Sequence, residues 1–172
     1  MIKKSLLMSV SKPARYVGGE LNSVVKDKSA VKTRFAFCFP DSYEIGMSGL
    51  GMKILYGILN EMDGVWCERV FAPWPDMEEK LRENGIPLWA LESGDPLRDF
   101  DVIGFTLQYE LCYSNVLNVL DLAGIPLYAS ERGEGYPLVV AGGPCTCNSE
   151  PLCDFIDAFL IGEGEESLQE LV

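Results

Sequence analysis

Two apolar runs in the last third of the chain end in glycine: Val139-Val140-Ala141-Gly142-Gly143-Pro144 and Phe159-Leu160-Ile161-Gly162-Glu163-Gly164-Glu165-Glu166. A buried strand that ends in Gly-Gly or Gly-x-Gly turns tightly and bares its backbone to a ligand. The chemistry this spacing offers is binding rather than bond-making. Phosphate fingerprints are missing. Gly46-Met47-Ser48-Gly49-Leu50-Gly51 has the wrong spacing for G-x-G-x-x-G, and no G-x-x-x-x-G-K-[ST] occurs. The sequence contains no histidine, which removes Ser-His-Asp and Cys-His catalysis and any histidine ligand to zinc, haem or cobalt. Carboxylates cluster near strand ends at Asp41, Glu44, Asp76, Glu110, Glu163 and Glu165. They could serve as bases or cation ligands, or simply cap helices and charge the surface. Cys145-Thr146-Cys147 with Cys153 makes C-x-C-x5-C, which could hold zinc or an iron–sulfur cluster, or stand as loop cysteines beside a cofactor entrance. The spacing matches neither C-x-x-C nor C-x-x-x-C-x-x-C, so no metal ligand is assigned. Trp74, Tyr109 and Tyr113 could stack on a flat cofactor or close one end of a core.

These residues need a scaffold, and the scaffold reads as alternating strands and helices. Arg34-Phe35-Ala36-Phe37-Cys38-Phe39 is a central-strand run closed by Pro40-Asp41. A loop through residues 42–48 leads to a helix with Leu50, Ile54 and Ile58 on one face beside Leu55 and Leu59. Residues 66–71 form the next strand. Asp76 and Glu79 then read as a capping box, with Met77 and Leu81 on the buried side. Residues 88–91 are short and strand-like, and 101–107 are strongly so. A helix carrying Val116, Leu117, Leu120 and Ala123 inward stops at Gly124. Residues 138–141 and 158–161 are the last strands. This alternation predicts an α/β, Rossmann-like three-layer sandwich with a mainly parallel sheet. Ligands of such folds sit beyond the carboxyl ends of the strands. The candidate site therefore comprises Pro40, Asp41, Thr106, Gln108, Gly142, Gly143, Pro144, Gly162, Glu163, Gly164 and Glu165.

Composition bounds the function. The 172 residues suffice for one domain with a real core. A net charge of −12 repels phosphate backbones and argues against nucleic-acid binding by this chain alone. Residues 1–8 have a signal-peptide-like outline, but the apolar part is too short and Lys12-Pro13 follows. No run reaches membrane-spanning length, so the reading is cytoplasmic, with Cys38, Cys67 and Cys112 as core thiols. Residues 1–33 lack a sustained period and read as an arm or linker; 34–172 read as the α/β domain.

The chain resembles the N-terminal, cobalamin-binding-domain region of radical SAM proteins of the Fe–S oxidoreductase type. The likeness runs from about Lys12 through Lys12-Pro13-Ala14-Arg15-Tyr16-Val17-Gly18-Gly19-Glu20, Phe39-Pro40-Asp41-Ser42-Tyr43-Glu44-Ile45-Gly46-Met47 and Arg69-Val70-Phe71-Ala72-Pro73-Trp74-Pro75-Asp76-Met77. It continues in Phe105-Thr106-Leu107-Gln108-Tyr109-Glu110-Leu111, Gly142-Gly143-Pro144 and Ile161-Gly162-Glu163-Gly164-Glu165-Glu166. The resemblance implies a flavodoxin-type domain ahead of a radical SAM barrel. That barrel would carry the 4Fe–4S cluster and S-adenosylmethionine, neither of which this chain would hold. It implies that the chain is a fragment, inactive in radical chemistry by itself, with the downstream barrel as partner and a homodimer as a further option. Cobalamin is the implied ligand, bound without histidine on cobalt. Gly142, Gly143 and Pro144 would approach its nucleotide tail, Thr106 and Gln108 would hydrogen-bond to it, and residues 162–165 would line the far side. The alternatives are a structural or dimerisation module without cofactor, and a free-standing flavodoxin-like small-molecule binder.

Overall fold

In the computed structural model, which describes residues 4–172, five strands form one all-parallel sheet. They are β1 (Thr33–Phe39), β2 (Val65–Phe71), β3 (Val102–Thr106), β4 (Leu138–Gly142) and β5 (Ala158–Phe159), in the order β2-β1-β3-β4-β5. Residues 1–3, which begin the signal-peptide-like outline, lie outside the described residues. Six helices flank the sheet: α1 (Lys4–Leu7), α2 (Tyr43–Ser48), α3 (Leu50–Glu61), α4 (Pro75–Asn84), α5 (Tyr113–Leu122) and α6 (Gly164–Leu171). Strands β1 to β4 are largely buried on both faces, as parallel strands covered by helices are. This is why β1, β3 and β4 read as mostly apolar runs, whereas β2 carries Glu68 and Arg69 and β5 at the other edge is more exposed. Alternation sorts their side chains. Phe35, Phe37 and Val140 face Met52, Tyr56 and Leu59 of α3 and Leu168 of α6. Ala36, Cys38, Ile103, Phe105, Val139 and Ala141 face Met77 and Leu81 of α4 and Val116 and Leu120 of α5. The result is the expected three-layer α/β sandwich. Strand order reverses between β1 and β3, the switch point of a 2-1-3-4-5 sheet.

The N-terminal arm is folded onto this body. Leu6, Val10 and Tyr16 are buried in the α4/α5 core. Strand β2 is at the edge by sheet order, yet all seven of its residues are buried. Three segments explain this: Asn60 of α3 pairs with the Cys67 backbone, Leu91 and Glu92 pair with that of Arg69, and the arm closes the end around Val65 and Trp66. The Trp66 indole N–H donates to Val24 O at 2.9 Å, and the Val24 N–H donates to Tyr56 Oη at 2.8 Å. The Lys26 ammonium donates to Asn60 O at 2.7 Å and Val65 O at 2.5 Å. A covered edge cannot template pairing with another chain.

Several local expectations are corrected. Residues 43–48 are helix α2, not loop. Glycines lower the helix propensity there, but packing overrides it: a Cβ on Gly46 would lie 2.3 Å from Phe71 Cε1, so the helix needs glycine to seat on that ring. On α3 the buried residues are Met52, Tyr56 and Leu59, while Leu50 is 71% and Ile54 41% exposed. Helix α4 begins at Pro75 rather than at an Asp76 cap. Asp76 instead accepts the Ser11 N–H at 2.8 Å and so ties down the arm. Residues 88–91 form no strand; Trp89 makes one antiparallel bridge to Pro96, and the Leu91 N–H donates to Arg69 O at 2.9 Å. Strand β5 stops at Phe159, two residues short of the expected end. Among the described residues no helix is long and apolar enough to cross a membrane.

Candidate functional site

Strands β1, β3 and β4 leave a cleft of about 410 Å³ under α3 and α6, at the carboxyl edge of the sheet. Its floor is the sheet itself: Phe35, Phe37, Gly104 and Val140. Leu55 of α3 and Leu168 of α6 close the sides. Gly104 of β3 makes room for this floor: a Cβ there would lie 2.3 Å from Phe35 Cζ, so the glycine lets the tip of that ring sit against the strand.

The rim is built from the strand ends. Thr106, Gln108, Gly142, Gly143, Pro144, Gly162, Glu163, Gly164 and Glu165 all border the cleft. Pro40 and Asp41 do not border it. The loop after β1 turns toward β2 and α5 instead. Pro40 O accepts from Asn115 Nδ2 at 2.9 Å, and Asp41 O accepts the Ala72 N–H at 3.0 Å. Asp41 Oδ1 takes the Ser42 N–H at 2.5 Å. These two residues stitch neighbouring strand ends together.

Gly143 has a structural duty of its own. It sits at φ +102°, and a Cβ would lie 2.8 Å from Leu107 O and 3.1 Å from Leu107 N. The two loops are thereby locked: the Leu107 N–H donates to Gly142 O at 2.8 Å, the Cys145 N–H to Leu107 O at 3.2 Å, and the Thr146 hydroxyl to Gly143 O at 2.7 Å. Close backbone approach here is between protein segments.

The polar groups of the cleft are few. Thr106, only 9% exposed, accepts from Gln108 Nε2 at 2.7 Å. That bond occupies an acceptor position on the hydroxyl and leaves its proton to be donated. Gln108 in turn keeps its carboxamide oxygen as an acceptor. Helix α6 starts at the rim with no side-chain cap, so its first N–H groups lack intrahelical partners. Glu165 and Glu166 lie in its first turn, where acids are favoured.

Other candidate groups lie elsewhere. Trp74 is half exposed and stacks under Arg15, whose guanidinium carbon is 4.7 Å from the ring centroid. Tyr109 and Tyr113 pack on the α4/α5 core. Phe35, Phe37 and Phe105 are the aromatic residues that border the cleft. Cys147 also borders it and is exposed, as is Cys153, whereas Cys145 is half-buried. Burial pushes the Cys145 thiol upward and the Cys112 thiol to about 11. Among the described residues no three His, Cys, Asp or Glu side chains are grouped to share a metal ion. Sequence reasoning missed the floor residues Phe35, Phe37 and Gly104, and the rim residue Thr146. A glycine inside a strong strand was the available signal for Gly104, since it marks close approach.

Glu44 belongs to the arm rather than the cleft. Arg15 Nε donates to it at 2.9 Å and Lys12 Nζ at 3.2 Å. The hydrogen bond from Arg15, with help from its own backbone N–H, lowers its pKa from 4.5 to about 2. A depressed carboxylate contributes stability above its unfolded pKa and loses it as pH falls through the folded value. The arm's attachment at Glu44 is therefore expected to weaken between pH 4.5 and about 2. A carboxyl NMR titration checks this; an unshifted midpoint would contradict the pairing.

The family described as radical SAM proteins, N-terminal, matches residues 51–172. An uncharacterized protein of Methanocaldococcus jannaschii is similar too: 29% identical over 134 residues, which is 77% of this chain and 24% of that protein. The chain thus spans about a quarter of that relative's length.

Proposed function

The chain belongs to the radical SAM proteins, as an N-terminal region of that family, and from that premise we propose that it is a cofactor-holding accessory domain whose cleft receives the flat nucleotide tail of cobalamin. One observation carries the reading. The candidate residues of β3, β4 and the segment after β5 converge on one apolar cleft at the carboxyl edge of the sheet. At about 410 Å³ it lies in the range of roughly 300–1,000 Å³ typical of small-molecule sites.

The residues present fit such a tail. Phe35, Phe37, Leu55 and Val140 offer apolar surface to a flat heterocycle. The Thr106 hydroxyl, oriented by Gln108, offers one proton to an acceptor on it. The bare N–H groups at the start of α6 suit a single phosphodiester, while Glu163 and Glu165 disfavour a polyphosphate. With no histidine in the chain, cobalt receives no imidazole from it. Cobalamin, when bound, supplies a cobalt centre able to carry a one-carbon group. What this chain does is hold, orient and shield the tail. The 4Fe–4S cluster and S-adenosylmethionine belong, in this reading, to the catalytic part of the longer polypeptide in the cytoplasm.

The test is incubation with hydroxocobalamin followed by desalting and visible spectroscopy. A red protein with about one cofactor per chain is expected. A colourless protein, both for this chain and for the longer polypeptide, overturns the reading.

A second role at the same edge is favoured by exposed apolar side chains in the segments that follow the strands, including the first residue of α3. Leu50 and Ile161 are each 71% exposed and Leu111 is 88% exposed. Such side chains around a ligand edge suit contact with the catalytic part of the same polypeptide. Hydrogen exchange compares the two lengths of chain directly. Residues 108–112 and 160–164 should be protected only in the longer polypeptide; equal exchange in both removes this role.

A further inference from the structure

A second cavity, of about 450 Å³, lies between the arm at residues 20–24 and another flank of α3. None of its lining residues borders the glycine cleft. Its inner wall is Arg69, which is 5% exposed. Arg69 Nε donates to Glu92 at 2.6 Å, and Nη2 donates to Ser23 Oγ at 2.8 Å and Glu20 at 3.3 Å. Nη1 reaches only the thioether sulfur of Met47, at 3.6 Å. Sulfur is a weak acceptor, so a buried guanidinium borders the cavity with one nitrogen lacking an oxygen partner among the described residues.

Gly57 supplies an independent observation. It stands in the interior of α3, where glycine is about 1 kcal/mol less favourable than alanine. A Cβ there would meet nothing within 4 Å, so no contact with the protein requires glycine at this position. Gly57 borders the cavity, and its missing side chain leaves that space open. Met47 and Met52 on the walls are flexible apolar side chains that adapt to a guest.

Charge narrows the class of guest. Two carboxylates, Glu92 and Glu20, already face the one guanidinium, and Lys53 and Glu61, also on the cavity wall, offset each other. A further anion would meet net negative surroundings, whereas a neutral oxygen satisfies Nη1 without that repulsion. The geometry points to a binding site for an uncharged small molecule with an apolar body and a carbonyl oxygen, the oxygen accepting from Arg69 Nη1 and the body lying against Met47, Met52 and Gly57. This site is separate from the proposed cobalamin cleft.

Benzamide is a suitable probe, read by NMR of methyl-labelled methionine. Saturable shifts are expected at the Met47 and Met52 methyls, with Met8 and Met77 unchanged. Benzoate, of the same shape but charged, should bind roughly tenfold more weakly because it faces net negative charge. Gly57→Leu fills the cavity from a helical position, so it should abolish the benzamide shifts while the melting temperature holds or rises. The proposal is overturned by non-saturating shifts, by benzoate binding as well as benzamide, or by shifts that persist in Gly57→Leu. Neither result bears on cobalamin, since Met47 and Met52 do not border the cleft.

Discussion

Glu92→Ala is expected to lower folding stability by about 3–5 kcal/mol, read as a shift in the urea midpoint. The Glu92 side chain is fully buried and its two oxygens serve Arg69 twice, accepting from Nε at 2.6 Å and from the backbone N–H at 2.7 Å. Removing it leaves the buried guanidinium to Glu20 and Ser23 on Nη2, bares its Nε, and leaves a strand amide without its partner. The two partners' shifts bear on stability in opposing senses. Burial pulls the Arg69 guanidinium down but Glu92 raises it above its usual value, which favours the pair, while Glu92 itself bears the cost of desolvation. Burial pushes the Glu92 carboxyl upward even though Arg69 pulls it down. A raised acid means the unfolded chain ionises first as pH rises, so ionising this carboxyl opposes folding. The double replacement Arg69→Met with Glu92→Leu should therefore recover most of the loss. Glu83→Ala, which breaks only the exposed Lys80–Glu83 pair, should change stability by about 1 kcal/mol or less. If Glu92→Ala behaves like Glu83→Ala, the β2 edge is held by something other than this ion pair.

Gly104→Ala should separate the cleft from the fold. The new Cβ would stand 2.3 Å from Phe35 Cζ and 2.6 Å from Cε1. Phe35 is 0% exposed and packed on its other sides, so the open direction for its ring is the cleft it borders. Overpacking of this kind typically costs about 1–3 kcal/mol, which leaves a folded protein. Cobalamin retention should fall much further, by roughly tenfold or more, because loss of about 1.4 kcal/mol of binding already gives a factor of ten. Desalting and spectroscopy of the variant beside the parent measures it. Unchanged retention with a lowered melting temperature would place the cofactor elsewhere.

The two replacements touch parts of the molecule that differ in how legible they were in the sequence. Strands β1 and β4 announced themselves as apolar runs closed by proline or glycine, and β3 as an apolar run, because a parallel strand buried on both faces has little polar side to show. The sheet order was not visible, since nothing in β1 or β3 states which neighbour lies beside it. Helix α2 was hidden by Gly46, whose low propensity is outweighed by a ring on a strand 25 residues away. The buried flank of α3 was misjudged for a different reason. Its leucines and isoleucines form a stripe, but periodicity says only that a stripe exists, not whether Met52 and Tyr56 win the sheet while Leu50 stays outside. The rim of the cleft was readable because glycine after a strand has a conformational meaning. Its floor was not, because Phe35 and Phe37 look like any core residue until a cavity opens above them. Pro40 and Asp41 follow the same strand-end rule as the rim, yet their carbonyls are diverted by the Asn115 side-chain amide and the Ala72 backbone N–H.

The arm that covers β2 also imposes an order of events on a chain made from its N-terminus. Val24 and Lys26 are held by Trp66, Asn60 and Val65, all of which follow them by 34 to 42 residues. While α3 and β2 are still being synthesised, these arm residues have nothing to dock on, and once β2 appears its end around Val65 and Trp66 stays open until they arrive. Contacts of such separation form slowly, because the intervening loop must first be closed. The interval between completion of β2 and docking of the arm is when this protein is most exposed to sticking to a second copy. Holding that interval short is a task for the arm, quite apart from anything the finished domain binds.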